Sequence, residues 1–530
     1  MKLLKLTSML CFRTLTIVLL TATLAENSDE ARILASVPTC SYSHQIVFRP
    51  LWKALARNGH EIVLLTADPM EEEVENIRQI DLSVGYDVME RHGYNKIISN
   101  SDEMDLSFFT KMSTIIHDIS MEQLLLPDMQ RLIHNKSEKF DLLMLEIAFN
   151  PHIALAEKFG IPIIGLYSMD VLNYIHNNMG NDVHPVLHAE LANFAGWTQP
   201  LSFTQRIFAV LFNILMNSYG EFFVNPMMNK IIQEVFGKNS RPIEELIKET
   251  DMLFLNVNPA LHPIRAVTPN TIMFGGGTHL DTVAKPLPEG IKKFLDSAPD
   301  GVIYFSLGSN VKSALIRDEL RQLFLETFEE LPYKVLWKFE NKELPNKPDN
   351  VMIQKWVPQG DVLRHPNIKV FITQCGLQSM EEAIMNHIPL VGVPFFADQP
   401  SNAAMMANKG FGIHLDHSKL TKELFKETIL EVINNRKYKD KAIEIADLFR
   451  DVEMTGLEKV VWWTEYVIRN KGAKLFRNPI IDLPFYQYYL LDVIGFVGLI
   501  CFIVSFGVIK ISLFLFRQAK QLISKKTKKD

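Results

Sequence analysis

Cysteine is scarce in this chain: four occur in 530 residues, and two of them, Cys11 and Cys501, lie in or beside apolar runs near the ends. Only Cys40 and Cys375 remain for the globular part, too few for a fold stapled by disulfides. Excess positive charge is also missing, since 55 Lys and Arg against 61 Asp and Glu leave a formal net charge of −6. Without a basic face there is no counterpart to a phosphate backbone, which argues against nucleic acid as a partner. No repeat of fixed period interrupts the sequence, and no low-complexity tract beyond a basic tail.

What is present begins at the ends. Lys2 and Lys5, an apolar run over 15–24 and Ala25 before a polar stretch have the layout of a secretory signal peptide over 1–25. An N-terminal anchor competes with that reading, but the run is short for a span. Near the other end, residues 493–509 carry no charge and extend to 516 if Lys510 snorkels. Tyr486, Tyr488 and Tyr489 precede this run as interfacial aromatics do, and Arg517, Lys520, Lys525 and Lys526 follow it. The cationic tail over 517–530 is therefore expected in the cytosol and residues 26–490 in the lumen, with a single span. Lys526 and Lys528 have the spacing of a dilysine retrieval signal to the endoplasmic reticulum; a basic stop-transfer tail is the plainer reading. The sequon Asn135-Lys136-Ser137 makes Asn135 a glycosylation candidate in that location.

Between the ends, apolar strands alternate with helical patterns. Strands are expected over 32–37, 61–66, 142–146 and 161–167, with a helix after the first, which makes βαβ units and a parallel sheet. The stretch 285–290, Lys-Pro-Leu-Pro-Glu-Gly, marks a domain boundary. Alternation then restarts, with strands expected over 302–307, 334–339, 351–354, 369–373 and 389–394 and helices over 317–330 and 380–386. Two doubly wound α/β domains would face each other across a cleft at the carboxyl ends of their sheets. Residues 201–236 are rich in Phe, Leu, Ile and Met, either as helices on a membrane face or as core helices, the latter being expected.

Two places carry chemistry. The stretch from Phe371 through Gln374, Cys375, Gly376 and Ser379 to Glu382 runs from a strand through a tight turn into a helix. Gly376 permits close backbone approach, and the helix amino terminus favours a phosphate. Ser379 and Glu382 also have the spacing of a capping box, a purely structural alternative. Upstream, Trp356 and Gln359 offer an aromatic face and an amide; downstream, Asp398 and Gln399 follow a strand and suit hydroxyl groups. In the first half His44 follows the first strand, at the cleft end of the sheet; a lone loop histidine is otherwise a surface or capping residue.

Trp356-Val-Pro-Gln359 and the run from Phe371 to Gln399 resemble the donor signature of the UDP-glycosyltransferase family, which includes the UDP-glucuronosyltransferases. Residues 32–68, 140–165, the apolar span and the tail are similar as well, so the resemblance covers essentially the whole chain, in an insect-like form. It implies the GT-B fold, two Rossmann-like domains facing a cleft plus one transmembrane helix. Residues 26–284 would bind the acceptor, 285–475 the UDP-sugar, 476–492 would be juxtamembrane and 493–516 would span the membrane. The resemblance further implies that Trp356 stacks on uracil, Gln359 contacts the nucleoside and Glu382 takes the ribose hydroxyls. Ser309, Gly376 and Ser379 would surround the diphosphate, and Asp398 and Gln399 would hold the sugar. His44 would be the catalytic base, paired with Glu146 where the family has aspartate; Asp141 is the weaker alternative because it precedes the strand. The family usually has His-Gly-Gly where this chain has Gln374-Cys375-Gly376, so the contact to the diphosphate loses its charge. No Asp-x-Asp occurs, so no metal and no cofactor are expected. The reaction implied is inverting transfer of a hexosyl group, glucose before glucuronic acid, to a hydroxyl of a small lipophilic acceptor. A catalytically weak homologue that binds UDP-sugar or a partner is the second reading, and homo- or hetero-oligomers are left open.

Overall fold

A computed structural model describes residues 30–100, 106–190, 197, 199–280 and 283–526. The signal-peptide reading over 1–25 and the end of the dilysine motif fall outside the described residues.

The first half builds a seven-stranded sheet in the order β3-β2-β1-β4-β5-β6-β7. Its strands are β1 (Arg32–Val37), β2 (Glu61–Thr66), β3 (Ile77–Asp81), β4 (Leu142–Glu146), β5 (Ile163–Tyr167), β6 (Met252–Leu255) and β7 (Thr271–Met273). All pairs are parallel. Central strands such as β1 and β4 are buried almost throughout, because helices cover both faces and apolar residues are needed at odd and even positions alike. Leu34, Leu143, Leu145 and Leu253 enter the core on one face; Ile33, Ala35, Leu142, Met144 and Phe254 enter the core on the other.

The second half repeats the device with six strands, β8 (Val302–Ser306), β9 (Lys334–Lys338), β10 (Val351–Gln354), β11 (Ile368–Thr373), β12 (Leu390–Gly392) and β13 (Gly412–His414). Their order is β10-β9-β8-β11-β12-β13, again parallel. In each sheet the winding reverses beside the first strand, between β1 and β4 and between β8 and β11. Loops leaving the carboxyl ends of those strands part there, which opens a crevice for ligands.

Three expectations need correction. The region 201–236 is not uniformly core. The helix Phe203–Tyr219 buries only Ala209, whereas Asn225–Phe236, beyond a π-helical turn at Gly220–Val224, buries Met228, Ile231 and Ile232. Phe203, Phe208, Leu211 and Ile214 are all more than half exposed. The helix Leu377–Met385 begins after Gly376, so Ser379 stands inside its first turn and forms no capping box with Glu382. Finally, residues assigned to the second domain up to 475 do not all belong with its sheet. The helix Gly456–Asn470 buries Val460 and Val467 in the first half's core, and Asn58 donates to Glu465 (2.7 Å).

Residues up to Arg477 form one compact unit and Asn478–Asp530 a second. The second consists of short turns followed by the helix Leu491–Lys526, long and apolar enough to cross a membrane.

Candidate active site

A cleft of about 1550 Å³ lies along the carboxyl ends of both sheets, and the residues singled out from the sequence converge on it. His44, Glu146, Ser309, Trp356, Gln359, Gln374, Gly376, Ser379, Glu382, Asp398 and Gln399 all line it.

On the first side, β1 ends at Val37 and the chain turns into the short helix Tyr42–Ile46, which carries His44. Gln45 fixes that turn: its amide donates to the Val37 and Thr39 carbonyls (2.9 and 2.8 Å) and accepts from Thr66 Oγ1 (2.8 Å). Glu146 is the last residue of β4, directly beside β1 in register. Its two oxygens take His44 Nδ1 and Thr39 Oγ1. With Nδ1 engaged, Nε2 is the ring nitrogen left for a ligand in the cleft, the arrangement a general base requires. Burial opposes charge on His44, yet Glu146 and, more weakly, Asp398 hold its pKa above the ordinary imidazole value. Asp141 lies at the amino end of β4, where it accepts from the Arg32 backbone (2.8 Å), far from this pair in the sheet. Thr39 and Gln45 carried no signal in the sequence, because their roles arise only when the turn closes on β4 and β2.

On the second side, the turn after β8 and the turn after β11 face one another. A Cβ on Gly308, at φ +76°, would come within 2.1 Å of Gln374 Nε2, and one on Gly376 within 3.0 Å. The Gln374 amide therefore lies against both turns, with its oxygen accepting from Thr373 Oγ1 (2.9 Å) and its N–H₂ left as donor. Behind Gly308 and Ser309, Lys338 Nζ donates to the Gly308 carbonyl (2.9 Å) and Lys312 Nζ to the Ser309 carbonyl (2.6 Å). Two ammonium groups thus back a turn whose facing amide is neutral, while Glu340 pairs with Lys338 (2.7 Å). Cys375 does not crowd the cleft. Its side chain is buried in the second half's core, with Sγ in the space a Cβ on Gly392 would fill. What it introduces is a non-glycine residue at φ +66°.

Gln359 is more committed than the sequence suggested. It accepts from Tyr304 OH (3.0 Å) and donates to Ser379 Oγ (2.9 Å) and Glu382 Oε2 (2.5 Å), so it orients the groups around it. Trp356 keeps 55% of its surface exposed in the cleft, and Tyr42 from the first half meets it edge-on at 5.1 Å. Asp398 starts the helix Gln399–Lys409 and accepts from Asn402 (2.6 Å). Burial raises its pKa, against the pull of Asn402 and of His44. The Gln399 oxygen takes the backbone N–H groups of Phe395 and Phe396 (2.9 and 3.2 Å). Away from the cleft, Asn135 is exposed just beyond the helix Pro127–His134 and accepts from the Ser137 backbone (3.0 Å).

Residues 32–529 match the family model described as UDP-glucoronosyl and UDP-glucosyl transferase. The chain is 32% identical over 513 residues to UDP-glucosyltransferase 2 of Dactylopius coccus, covering 93% of this chain and 95% of that one. It is 29% identical over 507 residues to UDP-glucuronosyltransferase 2B7 of Homo sapiens, covering 91% and 93%. Among solved structures, TcCGT1 in complex with UDP matches with a TM-score of 0.56 at 14% identity, over 84% of this chain and 100% of that one. That likeness speaks for the GT-B fold alone. Two opposed doubly wound sheets and a family match over nearly the full length agree, and the chain belongs to the UDP-glucuronosyl and UDP-glucosyl transferase family.

Proposed function

We propose that this UDP-glycosyltransferase carries out inverting, metal-independent transfer of a hexosyl group to a hydroxyl of a small lipophilic acceptor, with UDP-glucose as first donor and UDP-glucuronic acid as second. The observation that carries the reading is the His44–Glu146 pair, whose free Nε2 shares the cleft with Asp398 and the amino terminus of the helix Leu377–Met385. In this reading the acceptor O–H proton passes to His44 Nε2 as its oxygen attacks the anomeric carbon. The bond to the UDP oxygen breaks on the opposite face, giving a β-linked product from an α-linked donor. Glu146 stabilises the imidazolium that forms. Free backbone N–H groups at the helix start, with Ser309, Ser379 and Gln374, take the charge on departing UDP, which is electrostatic stabilisation without a metal. Trp356 stacks on uracil, Glu382 holds the ribose, and Asp398 and Gln399 hold the sugar hydroxyls.

The helix Leu491–Lys526 supports a membrane anchor. With the basic residues that follow its apolar part, we infer a type I protein of the endoplasmic reticulum, its cleft in the lumen and Asn135 open to glycosylation, serving conjugation of lipophilic compounds.

The test is UDP release by membranes bearing the protein, given either donor and a panel of small phenols. Acceptor-dependent release that His44→Ala abolishes is the expected result, and the faster donor names the sugar. Absence of release with every pair, despite UDP binding, would favour the second reading, a weak homologue that binds UDP-sugar. Gln374 and Cys375 are what speak for that reading. Gln374→His with Cys375→Gly would then raise turnover many-fold, whereas the active reading expects a change of less than about tenfold.

A further inference from the structure

After β7 the chain runs through Gly275, Gly276 and Gly277 toward the second half, and there it meets two adjacent acidic residues of the helix Leu377–Met385. The Gly276 N–H donates to Glu381 Oε1 (2.8 Å), and Asn256 Nδ2 approaches Glu381 Oε2 (3.4 Å). His279 follows, 7% exposed, with Nδ1 3.5 Å from Glu381 Oε2 and Nε2 3.7 Å from Glu382 Oε1. Both ring nitrogens are buried without a hydrogen bond of ordinary length. Among the described residues, His279 is the only basic side chain within 4 Å of either carboxylate. Burial disfavours charge on this ring, but the two carboxylates outweigh it and raise its pKa.

The two oxygens of Glu382 are thus addressed from different halves of the molecule. Oε2 receives Gln359 of the second half, and Oε1 faces His279 of the first. A carboxylate that accepts from a vicinal diol needs a fixed rotation about its last bond, and a partner on each oxygen fixes that rotation more firmly than a partner on one. Two neighbouring buried carboxylates are also costly to hold side by side without a counter-charge.

We propose that His279 is a positioning residue for Glu382, so that a segment delivered by the first half sets how the second half recognises the ribose of the donor nucleotide. The proposal rests on the reading of Glu382 as the ribose acceptor, and the experiment separates the two.

Binding of UDP and of 2′-deoxyuridine diphosphate is measured by calorimetry on the full chain in detergent, for wild type, His279→Ala, His279→Gln, Glu382→Gln and the His279→Ala/Glu382→Gln double variant. Wild type is expected to prefer UDP by about tenfold or more, the size of a hydrogen bond to a charged group. His279→Ala is expected to reduce that preference to about twofold or less while changing deoxy-nucleotide binding less than about threefold. His279→Gln, which keeps an N–H donor without the charge, should keep an intermediate preference, and it reads the same ratio if the alanine variant does not fold. The double variant should discriminate no worse than Glu382→Gln alone, as two members of one unit do. Equal weakening of both nucleotides, with the preference retained, would make His279 merely structural and overturn the proposal. Wild type that binds UDP without preferring it, or a Glu382→Gln variant that keeps the preference, would instead remove Glu382 from the ribose, and this inference with it. Wild type that binds neither nucleotide would bring down the proposed function.

Discussion

The two rims of the cleft solve the same geometric problem with different materials. Each grows from the reversal point of a parallel sheet, β1 against β4 on one side and β8 against β11 on the other. On the first, side chains position side chains: Gln45 fixes the turn, Thr39 and Glu146 fix His44. On the second, backbone does much of the work, with Gly308, Gly376 and a helix start framing a single amide. Proton transfer needs one atom at one place with one pKa, which a buried side-chain network supplies. A diphosphate carries spread charge that many modest donors can share. The first rim should therefore break sharply when touched, and the second should bend.

The largest effect is expected at His44. His44→Ala should lower kcat by about 10²–10⁴-fold, the range of a lost general base, while UDP affinity measured by calorimetry stays the same. Glu146→Gln comes next, with a loss of about a hundredfold and a diagnostic shift in pH. His44 must be neutral to accept a proton, and Glu146 raises its pKa. Wild-type kcat should thus be full above that raised value and decline as pH falls through it. Without the carboxylate the imidazole pKa drops, so the acid limb of a pH–rate profile should move to lower pH. A limb that moves the other way would sink the pairing.

On the second rim, Trp356→Ala should weaken UDP by about 1–2 kcal/mol, roughly tenfold, with little change in kcat once donor is saturating. Cys375→Gly is the smallest. A residue at φ +66° stores about 1 kcal/mol of backbone strain. Its buried thiol returns about the same by filling space against Gly392. Thermal unfolding should show a net change within about 1 kcal/mol, and a larger one would mean that strain and packing are not balanced there.

Strands with both faces covered were easy to read, since burial on two sides writes a continuous apolar run; β1, β2 and β4 fall at the expected bounds. The edge strand β3, Ile-Arg-Gln-Ile-Asp, is half polar, and β7 and β13 are too short to show a period. In 201–236 composition is nearly uniform, but the helix before Gly220 is exposed and the one after it is packed. Only the path of the chain separates them. The cleft residues stood out because each belongs to a local motif. Thr39, Lys338 and His279 did not, since each acts on a residue far away in sequence. Ser379 misled because a serine–glutamate spacing says nothing about where the helix starts, which Gly376 decides.

The helix Gly456–Asn470, packed on the first half although it follows the second, has a consequence for how the molecule is made. A ribosome delivers the seven strands of the first sheet by Met273 but withholds the helix that packs on β7 and on Arg49–Arg57 until Asn470 has emerged. At 5–20 residues per second that interval is on the order of ten to forty seconds. For that time one face of a nearly finished sheet has the helix Arg49–Arg57 but lacks its last helix, and the nascent chain must keep the gap beside β7 from other apolar surfaces. A chain halted near residue 455 would hold every strand of both sheets and still lack the lid on its first core.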